Sequence, residues 1–197
     1  MQNKLANTFF KFRSYTPIPF LLIMMIFAQP TVLTIACGFV MVIIGESIRF
    51  WGVSWAGSET RTTGAVGGTF LIISGPFAYT RNPLYVGNIL MYCGFGVMSN
   101  AYFPFLLIVA FLFFALQYHL IVGEEEGYLR QTYTEQYAVY TKMVPRFFPR
   151  LTPYKDAKII QPELDIKAGF RSERRTLQAV LSVTIIVLIR WYFTFSK

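Results

Sequence analysis

Long apolar runs separated by brief breaks are the feature that most limits what this chain can fold into. Residues 32–52, 84–98, 102–122 and 176–195 are almost continuously apolar, and a shorter run occupies 16–29. A spanning helix needs about 20 apolar residues, and only helices or closed barrels satisfy every backbone group inside a bilayer. Only 14% of the 197 residues are charged, against about a quarter in soluble domains. The sequence therefore predicts an all-α polytopic transmembrane bundle in one membrane domain. It has five spans (16–29, 32–52, 84–98, 102–122, 176–195) and polar segments at 53–83 and 123–175, the second beginning with a polar helix to about Lys142. Pro145, Pro149, Pro153 and Pro162 break up the connection between that helix and the last span. Ser99-Asn100-Ala101 is too short for anything but an antiparallel hairpin between the third and fourth spans.

Basic residues set the orientation. The breaks at Gln29-Pro30 and Ser99-Asn100-Ala101 contain no Lys or Arg. Lys4, Lys11 and Arg13 precede the first span, Arg49, Arg61 and Arg81 lie around the second connection, and ten follow from Arg130 to Arg175. The positive-inside bias predicts a cytoplasmic N-terminus, an external C-terminus, and both polar segments in the cytoplasm. The net charge of +8 is explained by this topology rather than by a nucleic-acid surface.

Several features carry no chemistry of their own. Cys37 and Cys93 sit inside apolar runs without metal-ligand spacing and read as core residues. Gly38, Gly45 and Gly52 recur every seven residues on one helix face, where small side chains let helices approach closely. The Gly64, Gly67, Gly68 run and Gly94-Phe95-Gly96 are not a dinucleotide fingerprint, which needs a strand before it. His119, the sole histidine, reads as an interfacial residue rather than a base. No small-residue cleavage site follows the first run, so no cleaved signal peptide is expected.

Two polar stretches do stand out. In Arg81-Asn82-Pro83-Leu84-Tyr85-Val86-Gly87 the proline suits the first turn of a helix, where its missing N–H goes unnoticed. Tyr85 then falls where an aromatic lines a pocket, and Gly87 where something approaches closely. In the second stretch, Glu124-Glu125-Glu126 would cost about 2.5–3.5 kcal/mol per charge at mid-bilayer, which places them at an interface or in a polar cavity. Leu129, Tyr133, Tyr137 and Tyr140 come next at spacings of four, four and three, making one aromatic face that packs on the bilayer surface or roofs a site.

These two stretches in this order, with Val144-Pro145-Arg146 closing the second, resemble the isoprenylcysteine carboxyl methyltransferase and phospholipid methyltransferase superfamily. The resemblance covers residues 45–150 or so. It implies an integral membrane enzyme that methylates a lipid or lipid-modified substrate from the bilayer, using S-adenosylmethionine held on the cytoplasmic side. It implies a catalytic role for Arg81 and Asn82. Cofactor contacts are implied for Arg81, Pro83, Tyr85, Gly87, Glu125, Glu126, Tyr137, Tyr140 and Arg146, with no metal and with Glu124 outside the glutamate pair. The sequence departs from the family pattern in carrying Asn82 where histidine is usual, Tyr133-Thr134 in place of Phe-Gly, and Ile121 where an arginine is common. A carboxylate acceptor needs no base, whereas an amine must first lose a proton, and both acceptors stay open. So do two other readings: an NADPH-dependent membrane reductase of the sterol or steroid type, whose family has a similar motif, and a non-enzymatic transporter or scaffold.

Overall fold

A computed structural model describes residues 4–57 and 71–195, and every regular element among them is helical. Arg61 and the Gly64, Gly67, Gly68 run lie outside the described residues. The helices are α1 (Lys4–Phe12), α2 (Pro17–Ile26), α3 (Val32–Ala56), α4 (Pro83–Ser99), α5 (Phe105–Thr132), α6 (Thr134–Met143) and α7 (Ile166–Phe195), with a 3-10 turn at Gly75–Ala78. α3, α5 and α7 are each long and apolar enough to cross a membrane, so the chain is an integral membrane protein. α4 has 17 residues. α1 and α2 meet at a 52° bend and together make a further candidate span.

Local chemistry explains where these helices start and stop. Thr31 and Thr34 cap α3 reciprocally: Thr31 Oγ1 accepts from the Thr34 N–H at 3.2 Å, and Thr34 Oγ1 accepts from the Thr31 N–H at 2.9 Å. Pro83 opens α4 as the sequence predicts. Asn100, in the left-handed region at φ 52°, closes α4 by donating its N–H to Gly96 and Val97 carbonyls.

The glycine face works as expected. A Cβ built on Gly45 would lie 2.6 Å from the Gly87 carbonyl oxygen and 2.8 Å from Met91 Cγ, and one on Gly52 would lie 2.7 Å from Leu84 Cδ2. α3 and α4 therefore pack backbone to backbone, the most extensive helix pair in the bundle. The apolar core is built from α2, α3, α4, α5 and α7, with Met24, Val42, Phe95, Phe114, Ile121 and Val187 buried together.

Hydrogen bonds sort the connections into two ends. At one end the two breaks without Lys or Arg meet: the Gln29 N–H donates to the Ser99 carbonyl at 2.8 Å, and Asn100 Nδ2 to the Gln29 carbonyl at 3.0 Å. Arg190 near the end of α7 joins them through the Ile26 carbonyl. At the other end, residues 78–81 are tied to 145–154 by three backbone bonds (Arg81 to Pro145, Arg150 to Tyr79, Tyr154 to Ala78), each 2.9 Å. Both polar stretches thus face the same end.

The structure differs from the expected boundaries in four places. The fourth apolar helix does not stop at Val122; α5 runs unbroken through the glutamates to Thr132, because an apolar run and a strong polar helix former join without a breaker. The polar helix instead breaks at Tyr133, and Thr134 takes φ 21°, a conformation a glycine would reach at less cost. The last helix begins at Ile166 rather than 176, since nothing after Pro162 interrupts it. The shorter first run forms a regular helix only over Pro17–Ile26.

Candidate active site

Glu126 is the centre of the polar end. It sits on the extension of α5, 2% exposed. Its Oε1 accepts from Arg81 Nε at 3.0 Å and Asn82 Nδ2 at 3.2 Å; its Oε2 accepts from Arg146 Nη2 at 2.6 Å and Nε at 3.1 Å. Arg81 Nη1 also donates to the Val144 carbonyl at 2.7 Å and the Thr141 carbonyl at 3.2 Å. Asn82 Nδ2 and Thr80 Oγ1 both donate to the Arg146 carbonyl at 3.1 Å. One buried carboxylate therefore fastens the entry to α4, the C-terminal part of α5 and the loop after α6. Two guanidiniums on one carboxylate leave the node with one net positive charge, and Arg81 Nη2 makes no hydrogen bond among the described residues.

Beside this node opens a cavity of about 780 Å³, a size ordinary for a small-molecule site. Arg81, Asn82, Pro83, Tyr85, Glu125, Tyr137 and Tyr140 all line it, and it continues inward along Met91, Phe95 and Val183. Glu125 Oε1 accepts from the Tyr85 hydroxyl at 2.7 Å, leaving Oε2 for another donor. Tyr85 in turn packs against Tyr118 with its ring tilted by 37°, centroids 4.7 Å apart. Tyr140 donates its hydroxyl to the Phe77 carbonyl at 2.7 Å. The Tyr137 hydroxyl is buried and has no hydrogen-bond partner among the described residues. Burial pushes the Tyr137 phenol up to about 12 and moves Tyr140 upward too, so both stay neutral.

This donor and acceptor set fits a zwitterionic amino-acid end attached to an aromatic base. The positive node suits a carboxylate, Glu125 suits an ammonium or hydroxyl, and the orphaned Tyr137 hydroxyl is a buried group that a ligand would satisfy. Tyrosine faces suit a sulfonium.

The two glutamates named by the sequence have different partners. Glu125 faces the cavity, whereas Glu126 is taken up by Arg81, Asn82 and Arg146 and does not line it. Consecutive helical residues point about 100° apart, so a register argument alone leaves their roles equal. Arg146 and Gly87 do not line the cavity either; Gly87 lies against Gly45 and Arg49 on α3. His119 is exposed and away from the cavity.

Sequence reasoning missed Arg49, Asn88 and Glu173, which line the same cavity and bond to one another, and Arg13 and Tyr128 on its wall. The signal for Asn88 was present: Tyr85, Asn88, Tyr92 and Phe95 have a three-four-three spacing and share one face of α4. Nothing local to Glu173 announces its partner 124 positions away.

A family model described as phospholipid methyltransferase matches residues 33–136, just over half of the chain. The cobalt-zinc-cadmium resistance protein CzcN of Cupriavidus metallidurans is 38% identical over 85 residues, covering 43% of this chain and 38% of that protein. The nickel-cobalt-cadmium resistance protein NccN of Alcaligenes xylosoxydans xylosoxydans is 33% identical over 87 residues, covering 44% of this chain and 39% of its own length. The chain thus spans about two fifths of the length of the curated relatives it matches. No solved structure matches it. The matched stretch runs from α3 to α6 and takes in Arg81, Glu125, Glu126 and the α3–α4 glycine contact; this chain belongs to the phospholipid methyltransferase family.

Proposed function

We propose that this protein is an S-adenosylmethionine-dependent methyltransferase of the membrane, acting on a lipid or lipid-modified substrate. One observation carries the reading: a single cavity joins a polar end built for a zwitterion to an apolar interior between the helices. Bound there, S-adenosylmethionine supplies an electrophilic methyl group on a sulfonium. Arg81 Nη2 and Glu125 orient its charged end, Tyr137 and Tyr140 enclose it, and Glu126 keeps Arg81 and Asn82 in place. Catalysis in this reading rests largely on positioning, since an in-line displacement asks for alignment above all. The apolar wall along Met91, Phe95 and Val183 receives the chain of a substrate entering from the bilayer. The relatives' names concern metal resistance, and among the described residues no group of three or more His, Cys, Asp or Glu is placed to hold a metal ion.

Calorimetry with S-adenosylhomocysteine on the purified protein tests the cofactor. Glu125→Gln is expected to weaken binding about ten- to a hundredfold, the cost of a charge-assisted hydrogen bond. Glu124→Gln, which does not line the cavity, is expected to stay within about twofold. Equal affinities for all three proteins, or no binding to any, would remove the cofactor assignment.

The same reading includes five crossings, by the α1–α2 pair, α3, α4, α5 and α7, with the site end in the cytoplasm. A helix of 17 residues rises about 25 Å at 1.5 Å per residue, near the thickness of a thin bilayer. A cysteine introduced at Asn100 is expected to react with an impermeant maleimide added outside intact cells, and one at Glu135 only after lysis. The reverse pattern would invert the orientation.

A further inference from the structure

α7 lies outside the stretch that the family model covers, yet it supplies a charged residue to the cavity. Glu173 is fully buried, and both of its carboxylate oxygens accept from Arg49 Nη2 at 2.8 Å. Arg49 Nη1 donates to Asn88 Oδ1 at 2.6 Å. An arginine only donates, so this bond fixes the amide: Asn88 Oδ1 is spent on the guanidinium, and Nδ2 is the atom left for a ligand. Asn88, Arg49 and Glu173 all line the cavity. Asn88 is six residues beyond Asn82 along α4, about 9 Å deeper by helix rise.

The charge balance says what kind of group this rung takes. Glu46, which does not line the cavity, lies 3.7 Å from Arg49 Nε. Glu173 alone already balances the Arg49 guanidinium, so the rung itself carries no spare positive charge. It offers N–H donors without net attraction for anions, which suits a neutral oxygen such as an ester carbonyl or a hydroxyl.

Resting on the methyltransferase reading, we propose that Arg49, Asn88 and Glu173 form a subsite for a neutral oxygen of the methyl acceptor. Asn88 Nδ2 makes the contact, and Glu173 is a positioning residue that acts through Arg49. The donor end at Arg81 and Glu125 and the acceptor oxygen at Asn88 then bracket the space in which the methyl group moves.

The test uses the full chain in detergent–lipid micelles with methyl-labelled S-adenosylmethionine and a titrated total lipid extract of the producing cells, reading label in the organic phase. Asn88→Asp keeps the size and an acceptor for Arg49 but removes the donor. It is expected to raise KM for the extract about tenfold, the order of one lost hydrogen bond, while S-adenosylhomocysteine affinity stays within about twofold. Glu173→Gln is expected to move KM the same way, and the double variant to be no worse than Asn88→Asp alone, since both act on one contact. An unchanged KM in Asn88→Asp, or a fall in S-adenosylhomocysteine affinity equal to the rise in KM, would overturn the subsite. A wild-type KM that climbs steeply with salt would overturn the neutral oxygen in favour of an anionic group. Failure of the wild-type protein to bind S-adenosylhomocysteine would instead remove the methyltransferase reading. Binding without any label in the extract would remove its lipid acceptor, and this subsite with it.

Discussion

Glu126→Ala is expected to destabilise the protein by about 3–5 kcal/mol, because removing one partner of a buried ion pair strands the charges that remain. Here two guanidiniums would be stranded at once. The Arg81 side chain is 12% exposed and that of Arg146 31%, so Arg146 recovers some hydration while Arg81 does not. Asn82 Nδ2 keeps the Arg146 carbonyl as its other acceptor. The expected result is a large fall in melting temperature in detergent, together with loss of S-adenosylhomocysteine binding. Arg146→Ala is expected to cost less, since Glu126 keeps Arg81 and Asn82. This separates Glu126 from Glu125, whose Gln variant is expected to melt near the wild type and only to bind more weakly. A Glu126→Ala protein that melts unchanged would reduce the node to a weak surface pair.

Gly45→Leu is the second large effect. The first added carbon already meets the Gly87 carbonyl oxygen at 2.6 Å, and although the Met91 side chain at 2.8 Å can turn away, the α4 backbone cannot. Relief requires α3 and α4 to separate, which also pulls Arg49 from Asn88 and shifts Tyr85. Overpacking of this kind costs about 1–3 kcal/mol where side chains yield, and more is expected here because backbone opposes it. Gly123→Ala is the control: a Cβ on Gly123 meets nothing within 4 Å, and alanine in a helix interior gains about 0.5–1 kcal/mol over glycine. Melting curves of the two variants should move in opposite directions. A Gly45→Leu protein as stable as wild type would mean the helices are not held in close contact.

The sequence by itself determined the helical class, a close-packing face on α3 without its partner, and which connections share an end of the bundle. Each rests on a short-range signal: apolar runs long enough for a bilayer, glycines repeating every seven residues, and Lys and Arg absent from two breaks. It also named Arg81, Asn82, Glu126 and Arg146, which bond together at the polar end, and with them Gly87, which packs against α3 instead. The tertiary structure alone decided how those residues divide the work. Glu125 and Glu126 are neighbours of identical chemistry, and only the packing of 79–82 against 144–146 turns one toward two arginines and leaves the other at the cavity. The same limit hid Arg49, Asn88 and Glu173. Their hydrogen bonds join α3, α4 and α7 across 39 and 124 positions of sequence, and no local pattern encodes a pairing that exists only once three helices have packed. The helix boundaries that moved did so for a related reason. A run of helix formers continues until geometry stops it, so the change from apolar to polar at Gly123 marks where the surroundings change, not where α5 ends.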